Sequence, residues 1–253
     1  MATYVLVGGA WLGAWAWRDV TCSLRARGHD VHPVTLTGLG DRVHLARPDV
    51  DLETHIADVL NTIAAADLRD VVLVGHSYAG LVVTGVADRA PERLAQLVYL
   101  DTGPLPPGQA LIDFNPPPER ERLRRVVEEQ GDGWRLPPPA FEDLGTPAAM
   151  AGLADADRAR FTALATPQPF RTWTQPLEYV PPGRPTYGRV VVLAGGFDLT
   201  STRLRELIAA GTPPWAQLFG APDWRFGELA TGHWPMLSAP DELSALLDSL
   251  GSG

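Results

Sequence analysis

Cysteine is all but missing from this 253-residue chain, where Cys22 stands alone. A lone thiol forms no internal disulfide, so nothing in the sequence calls for an oxidising compartment. Positive charge is scarce as well: 21 Lys plus Arg face 30 Asp plus Glu, a net charge of −9. A negative surplus argues against binding nucleic acid or an anionic membrane through bulk electrostatics. No apolar run reaches the roughly 18 residues that a membrane helix needs. The apolar start at residues 1–7 lacks a basic stretch and breaks at Gly8-Gly9, so it does not read as an export signal. Those glycines do not complete a dinucleotide-binding G-x-G-x-x-G, and no nucleotide loop or metal-ligand cluster is present. The expectation is a cytoplasmic protein with no cofactor and no metal, a monomer or homodimer that meets neither nucleic acid nor membrane.

Apolar residues make up 45% of the chain, as in an ordinary globular protein. At this length a large core can be buried without disulfides or metals. Short Val- and Leu-rich runs at 4–7, 31–36, 71–74 and 97–100 read as buried strands. Between them, 14–27, 52–66 and 78–89 carry apolar residues at helical spacing, with Gly28 where a helix C-cap belongs. Strands at 190–194 and 224–229 and helices at 203–210 and 240–250 repeat the pattern. Strand alternating with helix predicts an α/β fold, with a mostly parallel central sheet flanked by helices. Many of the 24 prolines fall between Pro104 and Pro185, in clusters such as Pro116-Pro117-Pro118 and Pro137-Pro138-Pro139. Residues 1–103 and 186–253 therefore read as the core, and 104–185 as an inserted helical, Pro-rich cap with helices at 119–130 and around 155–164.

The segment Val71-Val72-Leu73-Val74-Gly75-His76-Ser77-Tyr78-Ala79-Gly80 runs a hydrophobic strand into a small-residue turn with Ser at its apex. A nucleophile elbow needs this arrangement, because residues two before and two after the strained Ser must be small. Ala79 stands where the second Gly of G-x-S-x-G is usual, and a methyl group fits the requirement. The less specific reading makes Ser77 a helix cap.

A serine nucleophile needs a general base and a carboxylate to orient it. His29 and His32 suit solvated roles, and His44 and His55 structural ones. His76 neighbours Ser77 but points away, beneath the turn. His233, in Leu229-Ala230-Thr231-Gly232-His233-Trp234, lies on a loop at the edge where ligand chemistry collects in parallel sheets. For the carboxylate, Asp198 in Ala194-Gly195-Gly196-Phe197-Asp198 ranks ahead of Asp101 and Asp223. The order Ser77…Asp198…His233 is that of α/β-hydrolases.

With Leu6-Val7-Gly8-Gly9-Ala10-Trp11 and Thr37-Gly38-Leu39-Gly40-Asp41-Arg42 added, the chain resembles the α/β-hydrolase superfamily. Within it, the resemblance is to plant methylesterases, hydroxynitrile lyases and related bacterial esterase-like proteins. It runs over most of the core and fades in the cap. It implies an oxyanion hole from the backbone N–H groups of Ala10 and Tyr78. One departure is Gly8, where many members carry His. The lyases carry Thr at the position of Gly9 and Lys directly after the catalytic His, where this chain has Trp234, so ester hydrolysis fits better.

Leu105, Phe114, Phe170 and, as substrate-binding candidates, Trp11, Trp134, Phe141, Trp173 and Trp234 offer an apolar or aromatic pocket. The expected activity is a serine carboxylesterase acting on a small apolar ester, lactone or thioester through an acyl-enzyme. Two alternatives remain open: a lyase or cyclase of secondary metabolism, and a ligand-binding, non-catalytic relative.

Overall fold

In the computed structural model, residues 1–181, 183, 185–196 and 199–251 are described. Six strands form one sheet: β1 (Thr3–Val7), β2 (Asp30–Val34), β3 (Val71–His76), β4 (Leu94–Leu100), β7 (Gly188–Leu193) and β8 (Trp224–Glu228). Their spatial order is β2-β1-β3-β4-β7-β8, and every pairing is parallel. Two further strands, β5 (Arg135–Leu136) and β6 (Gln168–Pro169), make a separate antiparallel ribbon.

Successive strand residues point to opposite faces, and here both faces are apolar. Val5, Val7, Leu73, Tyr99 and Val191 belong to one core; Tyr4, Leu6, Val74, Val98 and Val192 belong to the other. The first core is closed by α2 (Leu52–Ala65), α3 (Ala79–Arg89), α7 (Ser201–Ala209) and α8 (Trp215–Phe219). The second is closed by α1 (Arg18–Ala26), α9 (Pro235–Ser238) and α10 (Pro240–Gly251). Burial on two sides explains why these strands read as unbroken hydrophobic runs rather than as an alternating pattern.

The expected helix at 14–27 is split: Ala14–Trp17 is a 3-10 turn, and α1 starts at Arg18. Gly28 has φ +86°, the left-handed conformation that ends a helix without a Cβ penalty. In the 104–185 stretch lie α4 (Pro117–Gln130), α5 (Asp155–Leu164) and α6 (Arg171–Thr174). Leu123 and Val127 of α4 meet Leu136 of β5 in a small cluster of their own, against which Trp11 and Trp173 pack. The same stretch also sends Leu105 and Leu177 into the first core, and Leu153 and Phe161 into the second. Among the described residues, no helix is long and apolar enough to cross a membrane.

Candidate active site

Strand β3 delivers Ser77 to the C-terminal edge of the sheet, and α3 leaves two residues later. Ser77 has φ +51°, a left-handed value that a β-bearing residue holds only when its surroundings fix it. The Ser77 N–H donates to the carbonyl of Leu100, and the Gly80 N–H donates to the carbonyl of Ser77. Glycine is required at 75, because a Cβ there would lie 2.6 Å from Val83 and 2.8 Å from the Ala79 carbonyl. Ala79 itself is fully buried, so its methyl group is accommodated in place of the second glycine.

His233 reaches the same edge on the loop between β8 and α9. Its backbone is held at both ends: its N–H donates to Ala149 at 2.7 Å, and its carbonyl accepts from His76 Nε2 at 2.7 Å. The imidazole Nε2 stands 3.0 Å from Ser77 Oγ, and Nδ1 stands 2.6 Å from Asp101 Oδ2. Residues 77, 101 and 233, far apart in the chain, thus form one continuous relay.

Asp101 is thus a carboxylate at His233 Nδ1; Asp198, which the chain order favours, lies outside the described residues. Asp101 ends β4, the strand beside that of Ser77, and turns out of it with φ +46°. It is wholly buried, with Oδ1 accepting the Ala194 N–H at 2.7 Å and Oδ2 accepting the Gly196 N–H at 2.8 Å. These donors fix the orientation of the carboxyl group and leave Oδ2 aimed at the imidazole. A Cβ on residue 196 would overlap both Asp101 Oδ2 and His233 Nδ1, so the Asp–His contact requires glycine at that position.

His76 packs against His233, with ring centroids 4.8 Å apart. Because its Nε2 donates to a carbonyl, its Nδ1 carries a bare lone pair. Burial, and then the neighbouring His233, hold its pKa well below the ordinary histidine value, so it stays neutral. Nδ1 has no hydrogen-bond partner among the described residues and faces Gly9. A Cβ on residue 9 would lie 2.7 Å from that nitrogen and 2.9 Å from Ser77 Cβ. Glycine at 9 is thus a packing requirement of the elbow.

Among the described residues, neither the Ala10 nor the Tyr78 N–H meets a hydrogen-bond acceptor. Two unspent donors beside a nucleophile are what a developing oxyanion needs. The Tyr78 phenol points down into the first core and is 2.8 Å from His55 Nδ1; His55 Nε2 is 2.9 Å from the Thr37 carbonyl. A carbonyl only accepts, so Nε2 carries the proton and the phenol donates to Nδ1. Burial is the main force lowering the His55 pKa to about 4, while burial raises that of Tyr78.

An acid sensitivity follows from that depressed value. The unfolded chain takes up a proton on His55 near its ordinary pKa of about 6.5, whereas the folded chain does so only near 4. The associated stability is complete above pH 6.5 and is lost as pH falls toward 4, by about 3 kcal/mol in all. Chemical denaturation across that range is expected to show a shallower loss in His55→Gln; an unchanged slope would count against the assignment.

The aromatic candidates separate. Trp11 and Trp173, with ring centroids 5.8 Å apart, line a cavity of about 420 Å³ together with Leu123 and Leu136 and the charged Glu119, Arg122 and Asp143. Trp234 lies in the second core instead, edge-on to His233 and Phe161, and Phe141 packs on Phe161 in turn. Trp234, expected among the substrate-binding residues, is 5% exposed and packs beneath His233 instead. Trp134 stacks under the Arg135 guanidinium. His29 is not solvated either, being buried with its Nε2 2.9 Å from Asp248.

The model of the alpha/beta hydrolase family matches residues 4–246. A carbendazim hydrolyzing esterase of Nocardioides sp. (strain SG-4G) is 38% identical, covering 99% of this chain and 100% of that protein. Methylesterase 1 of Arabidopsis thaliana is 33% identical over 99 residues, 38% of each chain. Among solved structures, an extracellular alpha/beta-hydrolase from a Paenibacillus species superposes with a TM-score of 0.79 at 22% identity, covering all of both chains. That likeness speaks for the fold, and the match over nearly the whole sequence for the lineage. The chain belongs to the alpha/beta hydrolase family, as a serine ester hydrolase.

Proposed function

We propose that this chain cleaves a small apolar or aromatic ester by acyl transfer through Ser77. The observation that carries the reading is the unbroken Ser77–His233–Asp101 relay beside two unspent N–H donors. His233 Nε2 takes the Ser77 proton as Oγ attacks the carbonyl carbon, and the Ala10 and Tyr78 amides receive the charge on the carbonyl oxygen. The same proton passes to the departing alcohol, leaving an acyl-serine. Water, deprotonated by His233, then releases the acid and restores Ser77. Asp101 keeps the Nδ1 proton in place and offsets the imidazolium charge. The stretch 104–185 acts as a cap, and the wall of its mixed polar and apolar cavity formed by Trp11, Trp173, Leu123 and Leu136 takes the apolar part of the substrate.

The close approach of Gly9 to His76 and Ser77 disfavours the lyase alternative, because a threonine at 9 has no space. Trp234, buried after the base, provides no cation for a departing cyanide. Cys22, exposed and free, fits a reducing, cytoplasmic setting. Monomer or homodimer, with a substrate from secondary metabolism, completes the proposal.

The test is turnover of a panel of aryl, alkyl and thio esters, lactones and carbendazim, in water enriched in oxygen-18. The expected result is preference for aromatic acyl or alcohol groups, with one solvent oxygen entering each carboxylic acid released. Products without solvent oxygen would favour a lyase or cyclase, and silence across the panel together with no fluorophosphonate labelling would favour a ligand-binding protein.

A further inference from the structure

Ala10 presents its N–H to the reacting carbonyl only if the turn carrying it is fixed. That turn runs from Gly9 to Leu12, closed by the Leu12 N–H on the Gly9 carbonyl at 3.3 Å. The Gly9 carbonyl and the Ala10 N–H belong to one trans peptide and point in opposite directions. Holding the carbonyl therefore aims the N–H. The third residue of the turn, Trp11, has φ +65°, a position that such turns give to glycine. A tryptophan there needs support from elsewhere.

The support comes from residues 134–168, distant in sequence. The Trp11 N–H donates to Gln168 Oε1 at 3.1 Å, its carbonyl accepts the Thr166 N–H at 3.1 Å, and its indole Nε1 donates to the Leu136 carbonyl at 3.1 Å. Gln168 and Leu136 are register partners in the β5–β6 ribbon, so one ribbon grips both the main chain and the side chain of Trp11. Gln168 is fully buried, and its amide is itself locked: Nε2 donates to Thr172 Oγ1 at 2.8 Å, and that hydroxyl donates to the Pro169 carbonyl at 2.6 Å. A buried chain of polar groups thus runs from the Trp11 N–H through Gln168 and Thr172 to the Pro169 carbonyl.

We propose that Gln168 is a positioning residue of the oxyanion hole: by taking the Trp11 N–H, it holds the strained turn so that the Ala10 N–H faces the reacting oxygen. The proposal rests on the acyl-transfer reading above, with Ala10 and Tyr78 as donors. Loss of a whole oxyanion donor costs about 10²–10³ in kcat, so misplacing one should cost less.

The experiment compares wild type, Gln168→Leu and Gln168→Glu on an aryl ester that the wild type turns over. Gln168→Leu removes the acceptor at nearly constant volume; kcat is expected to fall about 10- to 100-fold with KM within about threefold. The pH at which activity is half-maximal stays put, since the Ser77–His233–Asp101 relay is untouched. Affinity for an aryl boronic acid, which places a negative oxygen in the hole, falls in step with kcat. Gln168→Glu keeps an acceptor oxygen and recovers most of the loss. Unchanged kcat in Gln168→Leu, or a loss confined to KM, overturns the proposal.

Should Gln168→Leu fail to fold, Thr172→Val decides. It frees the Gln168 amide while leaving the Trp11 acceptor present, and a fall in kcat of about 3- to 10-fold supports the role, whereas none overturns it. The parent reading fails separately, through a Ser77→Ala protein that keeps its activity.

Discussion

Replacing Ser77 by Ala is expected to lower kcat by at least about 10⁴-fold and to abolish covalent labelling by a fluorophosphonate. Alanine has the same Cβ and meets the same cost at φ +51°, so the elbow keeps its shape. Among the described residues, Ser77 Oγ hydrogen-bonds only to His233 Nε2, which leaves little folding energy at stake. A melting temperature within a few degrees of wild type is therefore expected alongside the lost chemistry. The residual rate measures what the Ala10 and Tyr78 amides and the pocket supply without a nucleophile. Ester turnover undiminished in this variant, on the purified protein, would end the acyl-serine mechanism.

The second large effect is expected at Asp101. In Asp101→Asn, the oxygen facing the Ala194 N–H can be kept, which turns the new amide toward His233 Nδ1 and the Gly196 N–H. An amide N–H then faces the imidazole nitrogen, and His233 moves its proton to Nε2, where it can no longer accept from Ser77. A fall in kcat of about 10³- to 10⁴-fold follows, with KM little changed. The paired measurement is Asp198→Asn, expected to cost far less. Full activity in Asp101→Asn beside a dead Asp198→Asn would return the orienting role to the residue that chain order favours. Because Asp101 is wholly buried with two backbone donors aimed at it, some stability is lost as well, and urea denaturation separates that from the kinetic effect.

How much of this was legible beforehand depends on how local each feature is. The strand–Ser–helix elbow is decided within about ten residues: Gly75 clears Val83, Ala79 fits, and the strand is buried on both faces, so composition and spacing carry it. The same holds for Gly28, whose φ of +86° ends α1 as its position implies. His233 was identifiable because a loop after a strand and before a helix must lie at that sheet edge. The short pieces were not identifiable: β5 and β6 have two residues each, too few for any periodicity to register.

The carboxylate shows where local reasoning stops. Asp101 and Asp198 both follow strands whose ends open on the same edge, and sequence order alone ranks Asp198 first. What places Asp101 on His233 is the neighbourhood of β3, β4 and β7 in the sheet, together with Gly196 passing close enough to donate to it. The tryptophans divide for the same reason. Trp11 and Trp234 each adjoin a functional residue in sequence, yet one lines a cavity and the other fills the core beneath the base. Gln168 carried no signal at all, since its partner Trp11 is 157 residues away.

The sequence by itself thus determined the layer order of strand and helix and the elbow, and singled out His233, Ala10 and Tyr78 as candidates, because each depends on backbone geometry set by immediate neighbours. Tertiary structure decided that Asp101 meets His233, that Trp11 and Trp173 line a cavity while Trp234 fills the core, and what steadies the turn at Trp11. Those are contacts between side chains and backbone brought together by strand order and loop packing, and no short-range pattern in the chain encodes them.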